Sequence, residues 1–98
     1  MSVSDLKASL AEAAPPANLS QPLTALWWVA KGDWEQAHAL AQKTPTADGA
    51  WVHAHIHRVE GDLDNAGYWY GRAGKPASSE ALETEWDQIA SVLLGKQD

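Results

Sequence analysis

The sequence predicts an all-α protein of five to six antiparallel helices, and three observations predict it. Apolar residues recur at steps of three and four instead of alternating. Glycine and proline cut the chain into helix-sized pieces. Alanine, the strongest helix former, is spread throughout, and no stretch offers a convincing strand. His53-Ala54-His55-Ile56-His57 does alternate, but a helical pattern runs through it without a break.

The elements follow in order. Val3, Leu6, Leu10 and Ala13 share one face of a weak helix over 3–14, closed by Pro15-Pro16. Leu19, Leu23, Leu26, Trp27 and Ala30 predict a helix over 20–31, with Ser20 as N-cap and Pro22 tolerated in the first turn. Trp34, Ala37, His38 and Ala41 predict 34–43. Val52, Ile56 and Val59 predict 49–60, after the break Thr44-Pro45-Thr46-Ala47-Asp48-Gly49. Leu63, Ala66, Gly67 and Tyr70 predict 63–73, closed by Gly74-Lys75-Pro76. Leu82, Trp86, Ile89 and Leu93 predict 79–94, with Ser79 placed to cap it.

Two of the joints are alike. Gly32-Asp33 recurs as Gly61-Asp62, followed by Trp34 or Leu63 and then by Ala37 or Ala66. Glycine ends the first helix in the left-handed conformation without steric cost. Aspartate then caps the second helix by accepting from its free N–H groups. The apolar residue after it is expected to anchor the second helix on the first, and the alanine to let the two backbones approach. The result is a helical hairpin with a tight turn, made twice.

This Gly-Asp-[Trp/Leu]-x-x-Ala core resembles the turn of the tetratricopeptide repeat (TPR), over about residues 18–76. Ala66, Tyr70, Ala73 and Pro76 resemble that family's second helix. Ala41 stands where the family has a large aromatic, and the 29-residue spacing from Gly32 to Gly61 is shorter than the family's 34. The resemblance implies a TPR-like right-handed α-α superhelix. Its parts are an N-terminal helix or arm (1–16), repeat 1 (18–48), repeat 2 (49–76) and a C-terminal capping helix (78–98). Two repeats are fewer than a stable array needs, so the flanking helices are expected to cap the stack.

Composition narrows the function. The 98 residues fit a single domain, and 45% hydrophobic with 20% charged residues argues against disorder. Six Trp with no Phe is an unusual aromatic choice, but Trp is good core filling. The absence of Cys excludes a disulfide scaffold, a thiolate metal site and a cysteine nucleophile. A net charge of −6 argues against nucleic acid as partner. The N-terminus lacks the pattern of a signal peptide and no apolar run could cross a bilayer, so the expected location is cytoplasmic and no membrane partner is expected. No phosphate loop or catalytic triad is legible, and the expectation is a non-enzyme without cofactor or metal.

The helix over 49–60 carries the candidate site. At 100° per residue, Trp51, His55 and Arg58 lie within one sector. In the TPR family the first helix of each repeat lines the concave groove that binds peptides. These three residues are therefore the expected partner site, Arg58 for a carboxylate and Trp51 to stack. The opposing reading pairs Arg58 with Glu60, Asp62 or Asp64 and buries Trp51. His53, His57 and Tyr70 form a second set. His53 and His57 are one turn apart and could hold two corners of a metal, with His38, Glu60, Asp62 and Asp64 as candidates for a third ligand. The favoured reading instead packs the two histidines against the helix over 63–73, near Tyr70. Glu80, Glu83, Glu85 and Asp87 are expected on a solvated face. Tyr68-Trp69-Tyr70 point three ways, so Tyr70 is expected to pack and Tyr68 or Trp69 to be exposed or to lie under the last helix. The expected function is a protein- or peptide-interaction module, against an oligomeric structural unit or a metal-binding or hydrolytic protein using His53 and His57.

Overall fold

A computed structural model describes residues 1–97, so the last residue of the expected 78–98 cap lies outside it. Among the described residues there are six α-helices and no strand: α1 (Val3–Ala8), α2 (Gln21–Ala30), α3 (Trp34–Gln42), α4 (Ala47–Glu60), α5 (Leu63–Ala73) and α6 (Leu82–Lys96). None is long and apolar enough to cross a membrane.

The two glycine–aspartate joints form as their chemistry demands. Gly32 and Gly61 take φ values of +79° and +82°. Asp33 accepts from the Gln36 backbone N–H and Asp62 from that of Asn65, and each holds the amide side chain of the same residue as well. Two hairpins result, α2 folding back on α3 and α4 on α5. Ala37 and Ala66 are buried in their seams. Of the apolar residues after the aspartates, Leu63 is 67% exposed and anchors nothing, whereas Trp34 stacks on His38 and borders a small cavity with Val29, Ile56 and Val59.

Helix ends depart from the periodicity where distant side chains intervene. The first helix stops at Ala8 and becomes a single 3₁₀ turn over Ser9–Ala11. Ser9 Oγ there accepts from the Trp27 indole, and the Lys31 ammonium donates to the carbonyls of Leu10 and Glu12, each at 2.9 Å. These bonds from α2 satisfy groups that a longer helix would have used itself. Helix α4 starts two residues early because Thr46 caps it, accepting from Gly49 N–H. Helix α6 starts late, at Leu82, and Ser79 does not cap it; Ala81 precedes it without any side-chain cap.

Helix α4 sits at the centre and touches α2, α3, α5 and α6. It is therefore buried nearly all round, from Gly49 through His57. The main core joins Leu23, Leu26 and Trp27 of α2, Val52 and Ile56 of α4, and Trp86, Ile89, Ala90 and Leu93 of α6, with Leu6 of α1. Trp27 is fully buried while its neighbour Trp28 is half-buried, as their 100° separation requires. The Trp86 indole N–H donates to the Leu26 carbonyl at 2.8 Å, tying α6 across α2.

Candidate functional site

Three features surround α4, and the first closes the expected partner site. Arg58, His55 and Trp51 do share a face, but α6 covers it. His55 Nδ1–H donates to Glu85 Oε1 at 2.7 Å and Arg58 Nη1 donates to the same oxygen at 2.8 Å. The Tyr70 hydroxyl donates to Glu85 Oε2. Arg58 reaches further to the Glu80 carbonyl. Trp51 is half-buried beneath the Lys75 ammonium, 4.3 Å from its ring centre. The face that a ligand carboxylate was expected to occupy thus holds the protein's own carboxylate. The alternative partners Glu60, Asp62 and Asp64 are equally passed over by Arg58.

Glu85 is the residue that the sequence pattern misplaces. It belongs to a run of acidic positions that reads as a solvated face, yet it is only 2% exposed. Burial pushes its carboxyl up, but hydrogen bonds from His55, Tyr70 and Arg58 outweigh burial and hold it below the ordinary carboxylate value. The same arrangement pushes Tyr70 well above an ordinary phenol, through burial first and the neighbouring carboxylate second. Glu85 thus gathers donors from α4 and α5 onto one carboxylate of α6, which marks it as an internal clamp between the three helices.

The second feature is an apolar groove of about 420 Å³ between the ends of α2, α4 and α6 and the 3₁₀ turn. Leu10, Val29, Val59, Leu82 and Trp86 line it, His55 lies at its floor, and Lys7 and Glu83 form its rim. Val59 and Leu82, both expected in the core by periodicity, are 44% and 40% exposed here. Among the described residues, no element fully covers Val59 at that end of α4. Of the expected trio, His55 alone reaches this groove.

The third feature brings His53 and His57 together with His38 of α3. One ligand atom from each lies within 4.8 Å of the others. His53 does not meet Tyr70, which is committed to Glu85. It stacks instead on Trp69, with ring centres 3.8 Å apart, and its Nε2 lies 3.1 Å from His38 Nε2. Trp69 therefore lies over α4 and not under the last helix, while Tyr68 is exposed and Tyr70 packed. His57 stacks on His53, and Trp34 on His38. The one-turn spacing of His53 and His57 is legible in the sequence. That His38 completes the group follows only once α3 packs on α4.

Searches against known protein families, curated proteins and solved structures return no match for this chain.

Proposed function

We propose that the chain is an interaction module that holds a peptide segment in the groove between Leu10, Val29, Val59, Leu82 and Trp86. The observation that carries this reading is an apolar groove of about 420 Å³ left open at the ends of α2, α4 and α6, within the size range of ligand-holding clefts. Exposed Val59 and Leu82 both line it, and folding alone gives no reason to leave them uncovered. The resemblance of the two Gly-Asp turns to that of the TPR family supports the reading, since in that family the first helices of successive units line the binding face. The expected site moves with it: His55 stays at the floor, while Trp51 and Arg58 serve the fold.

Charge selects the partner. The chain carries a net charge of −6, and Glu83 projects into water at the rim. Lys7, the cation there, is already paired with Asp87 at 2.8 Å. The fitting occupant is a peptide segment with a large apolar anchor flanked by Lys or Arg.

Synthetic peptides with a Leu or Trp anchor, flanked by lysines in one set and by glutamates in the other, test this by NMR titration. Lysine-flanked peptides are expected to shift the Trp86 and Val59 signals, and Val59→Asp or Leu82→Asp to weaken binding at least tenfold. Val92→Asp, at an exposed position outside the groove, is expected to leave it unchanged. Shifts confined to other surfaces, or equal affinity in the Val59→Asp protein, would overturn the proposal. Self-association that Val59→Asp abolishes would assign the groove to a second copy of this chain instead.

A further inference from the structure

We infer that His38, His53 and His57 form a binding site for one divalent transition-metal cation. The inference rests on how the three rings are held, and it is independent of the peptide groove on the other side of α4.

The distances fit. His38 Nε2 and His53 Nε2 stand 3.1 Å apart. Two nitrogens bound to one zinc at about 2.0–2.1 Å with tetrahedral angles lie roughly 3.3–3.4 Å from each other. A shift of a few tenths of an ångström therefore places both rings on one cation. The third imidazole, His57, is one helical turn from His53 and has a ligand atom within 4.8 Å of the other two.

The rings are also prearranged. Trp69 stacks on His53, His57 also stacks on it at 4.9 Å between ring centres, and Trp34 stacks on His38 at 4.7 Å. The sites stand on two helices, α3 and α4, and not on loops. Little side-chain freedom remains to be lost when a cation enters.

The polar atoms give the second argument. A neutral imidazole has one N–H and one lone pair, and the His38–His53 contact uses only one nitrogen of each ring. His53 Nδ1 is buried with no hydrogen-bond partner. His57 Nδ1 is buried too. The Glu60 carboxylate comes within 2.9 Å of it, but out of the line that a hydrogen bond requires. Such atoms are rare in a folded interior and call for an explanation. A cation held on the Nε2 side fixes Nδ1 of His57 as the N–H, with the Glu60 carboxylate placed beside it to take it, as carboxylates commonly do behind histidine ligands.

Three nitrogen donors and no thiolate select zinc, copper(II), nickel or cobalt over calcium and magnesium. His38 is only half-buried, so the cation enters from its side, and water completes the coordination.

The test is zinc titration of untagged, chelator-stripped protein, followed by calorimetry and by NMR of the imidazole nitrogens. The expected result is one zinc per chain at micromolar or tighter affinity, a melting temperature that rises with free zinc, and shifts at His38, His53 and His57 but not at His55. His38→Gln, at the least buried of the three, is expected to keep the metal-free melting temperature within a few degrees and to weaken zinc at least tenfold. His53→Gln serves as a second variant if it folds. No saturable binding, binding unchanged in His38→Gln, or shifts centred on His55 would overturn the inference.

Discussion

Glu85 Oε1 lies 2.7 Å from His55 Nδ1, and with side chains 2% and 1% exposed neither residue has water to turn to. Glu85 also takes the hydroxyl of Tyr70 and one guanidinium nitrogen of Arg58. Removing the carboxylate leaves three donors facing an empty space. Glu85→Ala is expected to cost about 3–5 kcal/mol, the usual loss when one partner of a buried charged group is deleted. Glu85→Gln keeps the volume and an acceptor oxygen, and its loss is expected to be about half as large. Urea unfolding followed by circular dichroism measures both. A Glu85→Ala protein within about 1 kcal/mol of the parent would show that the clamp contributes little.

Acid should act through the same carboxyl. In the unfolded chain Glu85 titrates near its ordinary value of 4.5, and in the folded protein its value lies lower. As pH falls through about 4.5 the unfolded chain takes up a proton that the folded one still refuses, so stability declines from there downward. Above that value the contribution is complete. Comparing the parent with Glu85→Gln from about pH 6 to about pH 3 isolates this residue from the other acids. The stability gap between the two proteins is expected to narrow as pH drops. A constant gap would place the carboxyl at its ordinary value.

Three glycines should respond differently to the same substitution. A methyl group at Gly49 would meet the Thr44 carbonyl oxygen at 2.2 Å, in the tight turn between α3 and α4. That backbone cannot give way easily, and Gly49→Ala is expected to cost about 1–3 kcal/mol. At Gly61, with φ at +82°, the space is open but the conformation resists any side chain. Gly61→Ala is expected to cost roughly 1–2 kcal/mol. Gly67 lies within α5 with nothing near it, and Gly67→Ala should stabilise by about 0.5–1 kcal/mol. Thermal melts rank them, since each kcal/mol moves the midpoint by roughly 4–8 °C in a domain of this size. A Gly49→Ala protein as stable as the Gly67→Ala protein would contradict the packing at Thr44.

What was legible in the sequence was whatever local chemistry decides. The positive-φ glycines at 32 and 61, the aspartate caps that follow them, Ser20 capping α2 and the buried alanines at 37 and 66 all follow from a few neighbouring residues. What escaped depends on distant ones. Glu85 reads as solvated because its neighbours are acidic, and only the docking of α6 on α4 and α5 gives it partners. Val59 fits the apolar stripe of α4 but lies past the reach of α6, so periodicity put it in the core and the fold leaves it out. The pair His53 and His57 stands out by spacing, and His38 is one of four candidates beside it that only the packing of α3 on α4 singles out. Arg58 shows the same limit: three acids stand near it in sequence, and it binds one that lies 27 residues away.

The bond from Trp86 to the Leu26 carbonyl spans 60 residues of chain. Each hairpin, by contrast, closes over a few residues at a glycine. Loop entropy therefore separates the two kinds of contact in time, with the local pairs available at once and the long closure deferred. The speed at which this protein folds is set less by its tight turns than by how soon the last helix finds the second.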